Sequence, residues 1–163
     1  MLTRLRIALS LFVCCISMAA NAASPCAPQP VAKSELEEGC TLPSKPIQQQ
    51  ILRDGTTLFY VPFCTHGANS DYELVAFDKH CSKLPLHVET LGGDKQLHMY
   101  DPNITCDDLK FKKNDDLVCN EAGASQQFLT NFYHMDGSIL RLQQIIATDM
   151  HTDTATTQYQ RKP

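Results

Sequence analysis

Apolar and polar residues alternate along most of the chain from Ile47 onward, and short turn signals interrupt the alternation. Asp54-Gly55, Gly92-Gly93 and Asp136-Gly137 each separate two such stretches. These dipeptides supply the positive φ angles of the two-residue turns that join antiparallel strands. The pattern therefore predicts β-hairpins rather than helices over residues 47–163.

The middle hairpin illustrates the expected register. A two-residue turn at Gly92-Gly93 places Val88 opposite Leu97 and His87 opposite His98. The aliphatic pair then shares one face of the hairpin, and the two histidines share the other. This division predicts a sheet with one buried and one solvated side.

The third hairpin is apolar on both faces. A two-residue turn at Asp136-Gly137 places Tyr133 opposite Leu140 and Asn131 opposite Leu142. The opposite face still carries large apolar residues, namely Phe128, Phe132, Ile139 and Ile145. We therefore expect this hairpin at the centre of the core or beneath a covering element.

About nine short strands, spaced about ten residues apart, predict an all-β fold. We expect an antiparallel meander that forms a sandwich or a barrel, because sequential hairpins need no crossover. Residues 23–46 are rich in proline and predict a short N-terminal arm before the β domain at 47–163. Residues 34–37 fit a capping box and Gly39 a helix stop, so the arm should contain one helical turn.

Residues 1–22 have the three parts of a secretory signal. Arg4 and Arg6 precede an apolar run at residues 7–17, and Ala20-Asn21-Ala22 provides a small-residue cleavage site. The apolar run is too short to span a bilayer. We therefore expect the signal to be removed and the protein to be periplasmic or secreted, without a membrane span.

The charge of the mature chain narrows the choice of partner. Removal of residues 1–22 leaves 141 residues with 12 Lys and Arg against 18 Asp and Glu, a formal net charge of −6. This sign disfavours nucleic acid and anionic membrane surfaces as partners. It favours a basic protein partner.

The mature chain keeps an even number of cysteines, namely Cys26, Cys40, Cys64, Cys81, Cys106 and Cys119. In an oxidising compartment they should form three disulfides. Because the cysteines fall into three local couples, we expect the pairs Cys26–Cys40, Cys64–Cys81 and Cys106–Cys119. A thiolate metal site is disfavoured, since the sequence contains no C-x-x-C motif.

The facing histidines form a candidate metal site. Directly opposed residues in a hairpin have Cβ atoms about 5 Å apart, so His87 and His98 could share a metal ion with Glu89 as a third ligand. The competing interpretation is an ordinary solvated face. We expect no cofactor, because phosphate loops, metalloprotease motifs and EF-hand loops are absent from the sequence.

The sequence contains no motif that names a reaction, and we expect no catalytic role. We favour a non-catalytic protein-binding module, of the inhibitor or immunity-protein type, for a basic partner. The candidate partner-binding residues are the acids of residues 65–71 and 107–116: Asp71, Asp107, Asp108, Asp115 and Asp116. Two alternatives remain open: a small-molecule or lipid carrier with a barrel cavity, and a small secreted hydrolase or metal-binding protein.

Overall fold

The structure is a computed structural model that describes residues 26–30, 39–123 and 126–162. Two predicted features lie outside the described residues. They are the signal at residues 1–22 and the helical turn at residues 34–37 of the arm.

Twelve strands and one 3₁₀ turn make up the regular structure of the described residues. The first six strands are β1 Gln48–Ile51, β2 Thr57–His66, β3 Asn69–Phe77, β4 Lys83–Leu84, β5 His87–Leu91 and β6 Leu97–Tyr100. The other six are β7 Asn103–Cys106, β8 Asp108–Phe111, β9 Asp116–Ala122, β10 Gln127–Asp136, β11 Ile139–Asp149 and β12 Ala155–Gln160. The 3₁₀ turn at Lys113–Asp115 joins β8 to β9.

The strands form two sheets. The smaller sheet has the order β1-β2-β3-β4, with β7 also paired to β3. The larger sheet has the order β6-β5-β11-β10-β9-β8, with β12 also paired to β11. The predicted all-β antiparallel fold is confirmed. Two features interrupt the sequential order: β7 returns to the smaller sheet, and β5 meets β11 in a short parallel contact.

The main core lies between the two sheets, so the fold is a sandwich. Tyr60 and Tyr72 of the smaller sheet are fully buried, as are Leu117, Leu140 and Leu142 of the larger sheet. Alternation along each strand directs these side chains to the same face.

A second cluster lies on the other face of the smaller sheet. Phe59, Val61 and Val75 are buried there, and Cys26 and Ile47 pack against them. The arm therefore covers the outer side of this sheet.

The hairpin of β10 and β11 occupies the centre of the larger sheet, as predicted. Its turn is Gly137-Ser138 rather than Asp136-Gly137, with a φ of 58° at Gly137, and Tyr133 lies opposite Leu142 instead of Leu140. A type II′ turn needs a positive φ only at its first central residue, which explains why Gly137 takes that position and Ser138 follows it. Next to the turn the shift is even, so Tyr133 and Leu142 keep their predicted face. A β-bulge between Phe132 and Tyr133 then places Asn131 opposite Ile145 instead of Leu142 and brings Ile145 to the core side, so the expected placement of Ile145 on the opposite face is wrong.

The disulfides are Cys26–Cys81, Cys40–Cys64 and Cys106–Cys119. The third pair is as predicted, and it joins β7 of the smaller sheet to β9 of the larger sheet. The predicted pairs Cys26–Cys40 and Cys64–Cys81 are wrong. Both cysteines of the arm lie against the smaller sheet, where Cys40 meets β2 and Cys26 meets the loop after β3, so neither meets the other. Three disulfides indicate an oxidising environment.

Candidate binding cleft

The structure does not bring the predicted metal ligands together. The turn between β5 and β6 has three residues, and its positive φ (61°) lies at Lys95 instead of at the glycines. The backbone N–H of Lys95 donates to the carbonyl of Gly92 at 2.9 Å. His98 therefore pairs with Thr90 instead of His87.

This change in register moves the two histidines to opposite faces of the sheet. The shift is odd, and strand residues alternate between faces, so His98 shares the face of Thr90 while His87 and Glu89 share the other. The Nε2 atom of His98 lies 2.9 Å and 3.0 Å from the carboxylate oxygens of Asp94. The hydrogen bond from His98 is the main reason that the pKa of Asp94 is lowered.

The carboxylate of Glu89 is paired with arginines of the protein instead. It is buried on the outer face of the larger sheet, where its carboxylate contacts Arg161 and lies 4.0 Å from Arg141. The backbone N–H of Arg161 donates to the carbonyl of Gln143 at 2.8 Å. These contacts attach the residues after β12 to β11.

The acids predicted to bind a partner all have partners within the protein. Asp107 pairs with Lys45 at 3.5 Å, Asp108 with Lys110 at 2.9 Å and Asp116 with His134 at 2.7 Å. Asp115 accepts the backbone N–H of Arg53 at 3.1 Å.

Asp71 lies within β3 rather than in a loop. It accepts a hydrogen bond from the Thr105 hydroxyl at 2.6 Å. Like the other four acids, it is therefore engaged in the fold, and together they do not form a surface of unpaired negative charge.

A cleft at one end of the sandwich brings together residues that the sequence analysis did not single out. It has a volume of about 290 Å³ and opens between β7 and the inner face of the larger sheet. Its walls include Thr90, Ile104, Glu121, Leu129, Asn131 and Tyr133.

Strand periodicity explains the polar character of this end. The inward positions of β9 run from Leu117 through Cys119 to Glu121, because alternate residues share a face. On β10 the neighbouring inward positions are Asn131 and Tyr133, of which both are buried. The inner face of the larger sheet therefore changes from apolar to polar as it approaches the cleft.

Glu121 is the electrostatic centre of the cleft. Burial raises the pKa of its carboxyl, a hydrogen bond from Asn131 lowers it in part, and the negative charge of Asp71 raises it further. The pKa of Tyr133 is raised mainly by burial and then by the charge of Glu121. A half-buried carboxylate therefore lies among neutral groups in the cleft, within electrostatic reach of a second carboxylate.

One sequence signal could have revealed this site. Asn131 lies between Leu129 and Tyr133 on a strand face that the alternation predicts to be buried, and a buried amide needs hydrogen-bonding partners. Glu121 carried no such signal, because the sequence did not show that β9 extends far enough to direct it inward.

Another polar cluster adjoins the cleft. His66, Cys40 and Cys64 have ligand-type atoms within 4.8 Å of one another, but the two sulfurs are joined in a disulfide and are not thiolates. The Nε2 atom of His66 also lies 3.3 Å from a carboxylate oxygen of Asp71. Asp71 thus connects this cluster with Thr105 on the wall of the cleft.

Comparisons with protein-family models, with curated proteins and with solved structures give no match to the chain. Within the residues that the structure describes, helices long and apolar enough to cross a membrane are absent.

Proposed function

We propose that the protein is a secreted or periplasmic binding module without a catalytic role, whose cleft receives a cationic group of a basic protein partner. The predicted signal at residues 1–22 and the three disulfides support this location. The formal net charge of −6 after signal removal favours a basic partner over nucleic acid or an anionic membrane.

The observation that carries the proposal is the lack of a cation beside Glu121. Among the described residues, no ion pair with Lys, Arg or His involves this carboxylate. Glu89, the buried acid of the outer face, contacts two arginines. An ammonium or guanidinium group in the cleft would give Glu121 the counter-charge that Glu89 already has, and partial burial would strengthen the attraction.

The size of the cleft favours a side chain over a lipid. Its volume of about 290 Å³ lies at the lower end of the range for small-molecule pockets, roughly 300–1,000 Å³. Packed side chains such as Tyr60 and Tyr72 fill the middle of the sandwich, and a second cavity of about 270 Å³ near Ala76 and Met135 is no larger than the cleft. These two features give a carrier of lipids less support than a site for the end of one side chain.

A hydrolase also has less support, although a histidine and two carboxylates lie near the cleft. A nucleophilic hydroxyl must donate its hydrogen bond to the histidine that activates it. The Thr105 hydroxyl donates instead to Asp71, at 2.6 Å. The contacts of His66, Asp71 and Thr105 therefore do not have the order that acyl transfer requires.

A titration with small probes tests the proposal. The mature protein would be titrated with acetyl-lysine methylamide and with its uncharged analogue acetyl-norleucine methylamide, and amide NMR shifts would be followed. We expect the lysine probe alone to shift the resonances of Glu121 and Asn131. Glu121→Gln should abolish these shifts, whereas Glu73→Gln should not, because Glu73 lies outside the cleft and pairs with Lys83 at 3.9 Å. Equal shifts with both probes, or none with either, would refute a cation site.

The same pair of variants tests for a protein partner. Immobilised wild-type protein, Glu121→Gln and Glu73→Gln would each be exposed to the same envelope extract. We expect a basic protein that is retained by wild type and Glu73→Gln but not by Glu121→Gln, and its association should slow as salt screens the charges. Identical retention by all three proteins would contradict the role assigned to the cleft.

A further inference from the structure

The two cysteines of the Cys40–Cys64 disulfide differ in burial and in their neighbours. Cys64 is fully buried in β2, whereas Cys40 is partly exposed in the arm. The Nε2 atom of His66 lies 2.8 Å from the sulfur of Cys64 and 3.9 Å from that of Cys40. Cys40 is thus the more accessible cysteine of the pair, and the sulfur of Cys64 lies against an imidazole.

The imidazole has a fixed position and access to solvent. The carboxylate of Asp71, itself held by Thr105, lies 3.3 Å from the Nε2 atom of His66. The side chain of His66 is 55% exposed. Its ring can therefore face Cys64 and still exchange protons with water.

We propose that Cys40–Cys64 is a thiol–disulfide exchange site that accepts electrons from a dithiol, with His66 as the proton donor to the leaving sulfur. This activity does not depend on the function proposed for the cleft. Thiol–disulfide exchange is fastest when the attacked sulfur is accessible and the leaving thiolate is stabilised. Cys40 provides the more accessible sulfur, and His66 lies beside Cys64, where it can protonate the leaving thiolate.

The reaction has two displacements. A thiolate of the dithiol attacks the Cys40 sulfur, a bond forms between these two atoms, and the Cys40–Cys64 bond breaks. The electron pair leaves on the Cys64 sulfur, which takes a proton from Nε2 of the doubly protonated His66 ring, and the ring then regains a proton from water. The second thiolate of the dithiol then attacks the dithiol sulfur of the mixed disulfide, the bond from that sulfur to Cys40 breaks, and the departing Cys40 thiolate takes a proton from water. The protein disulfide gains two electrons, and the dithiol becomes a disulfide.

The surroundings also favour closure of the bond again. The backbone N–H of Thr65 donates to the carbonyl of Thr41 at 3.2 Å, and the Thr41 hydroxyl donates to the carbonyl of Thr65 at 3.1 Å. These two bonds hold the residues next to Cys40 and Cys64 together without the disulfide. Exchange with an external disulfide, which would be reduced to two thiols, can therefore restore the bond while the two cysteines stay close together.

Cys106–Cys119 provides an internal comparison. Both cysteines are buried between the sheets, and the Cys119 sulfur lies 3.1 Å from the carbonyl oxygen of Thr105. Among the described contacts, its sulfurs have no histidine beside them. This disulfide should react slowly and independently of His66.

The first test measures the reduction of each disulfide. The folded mature protein would be treated with limiting dithiothreitol, quenched with iodoacetamide and mapped for alkylated cysteines. We expect His66→Gln to slow alkylation of Cys40 and Cys64 by about tenfold or more, since proton donation contributes at least this much to comparable reactions. The rates at Cys26–Cys81 and Cys106–Cys119 should be unchanged, as should every rate in the control His87→Gln. A His66→Gln variant with unchanged rates, or with all three rates lowered equally, would overturn the proposal.

The second test uses the wild-type protein alone. Glutathione, a monothiol, would be added to the folded protein, and the mixed disulfide would be located by peptide mapping after acid quenching. We expect glutathione on Cys40 and a free thiol on Cys64. Glutathione on Cys64, or equally on both, would contradict the assigned direction of attack.

Discussion

The side chain of Asn69 pairs with the backbone of Ala122 in both directions. Its amide nitrogen donates to the Ala122 carbonyl at 3.0 Å, and its oxygen accepts the Ala122 N–H at 2.9 Å. Asn69 begins β3 of the smaller sheet, and Ala122 ends β9 of the larger sheet. A single side chain therefore joins the two sheets one residue away from Glu121.

We expect Asn69→Ala to lower the free energy of unfolding by about 2 kcal/mol. The substitution removes two hydrogen bonds, each worth about 1 kcal/mol, from a partly buried site. Asn69→Asp should also be destabilising in denaturant unfolding, because its carboxylate can accept the Ala122 N–H but has no proton to donate to the Ala122 carbonyl. If both variants unfold at the wild-type denaturant concentration, this pairing does not hold the sheets together.

We expect Glu121→Gln to stabilise the protein at pH 7. The pKa of Glu121 is raised in the folded state, so the folded protein binds a proton at this site more tightly than the unfolded chain does. The wild-type protein is therefore stabilised as the pH falls through the folded pKa of Glu121 toward the ordinary value of 4.5. Over this pH range, the difference in the free energy of unfolding between Glu121→Gln and wild type should become smaller. Unfolding free energies of both proteins between pH 4 and pH 8 would measure this difference.

A comparison of Glu121 with Glu73 tests whether burial of the Glu121 carboxylate causes this difference in stability. The Glu73 side chain is partly exposed and pairs with Lys83, so Glu73→Gln should not stabilise the protein at pH 7. A Glu121→Gln variant that is less stable than wild type at pH 7 would mean that the Glu121 carboxylate is stabilised as a charged group.

We expect two glycines in equivalent turns to differ in their tolerance of valine. Gly55 has a φ of 87°, a conformation that valine tolerates poorly, so Gly55→Val should cost about 1–3 kcal/mol. Gly93 is outside the set with positive φ, and an added side chain there meets no atom within 4 Å. Gly93→Val should therefore change the unfolding free energy by less than about 0.5 kcal/mol. Equal losses in thermal or chemical unfolding would show that the β5–β6 turn has the two-residue form expected from the sequence.

We expect the oxidised protein to contain no free thiol, because its six mature cysteines form three disulfides. Digestion without reduction should release a peptide pair that links Cys26 to Cys81. Thiol titration of the denatured, unreduced protein provides the control. A peptide pair that links Cys26 to Cys40 would contradict the Cys26–Cys81 disulfide and support the local pairing expected from the sequence.

Prediction of the candidate site from sequence was limited by register. Placing His87 opposite His98 required the length of one turn, and an extra residue with positive φ at Lys95 moved His98 to the opposite face. In the third hairpin the error next to the turn was even, so Tyr133 kept its predicted face, whereas a bulge beyond Tyr133 changed the partner of Asn131 to Ile145. A difference of one residue in the length of a turn therefore decides which face of the sheet a strand residue occupies.

The sequence by itself determined the short-range features of the protein. Alternating apolar residues and turn dipeptides specify strands and hairpins because both depend on neighbours within a few positions. The Cys106–Cys119 pair was predictable for the same reason, since a short excursion of 13 residues separates its cysteines.

The tertiary structure alone decided how distant segments meet. Cys26 pairs with a residue 55 positions away, next to the outer face of the smaller sheet, and local spacing carries no information about such a contact. Glu121 and Asp71 approach each other only because β9 and β3 belong to two sheets that pack face to face. Packing of whole sheets brings these charges together, whereas the local pattern of each strand determines only which side it buries.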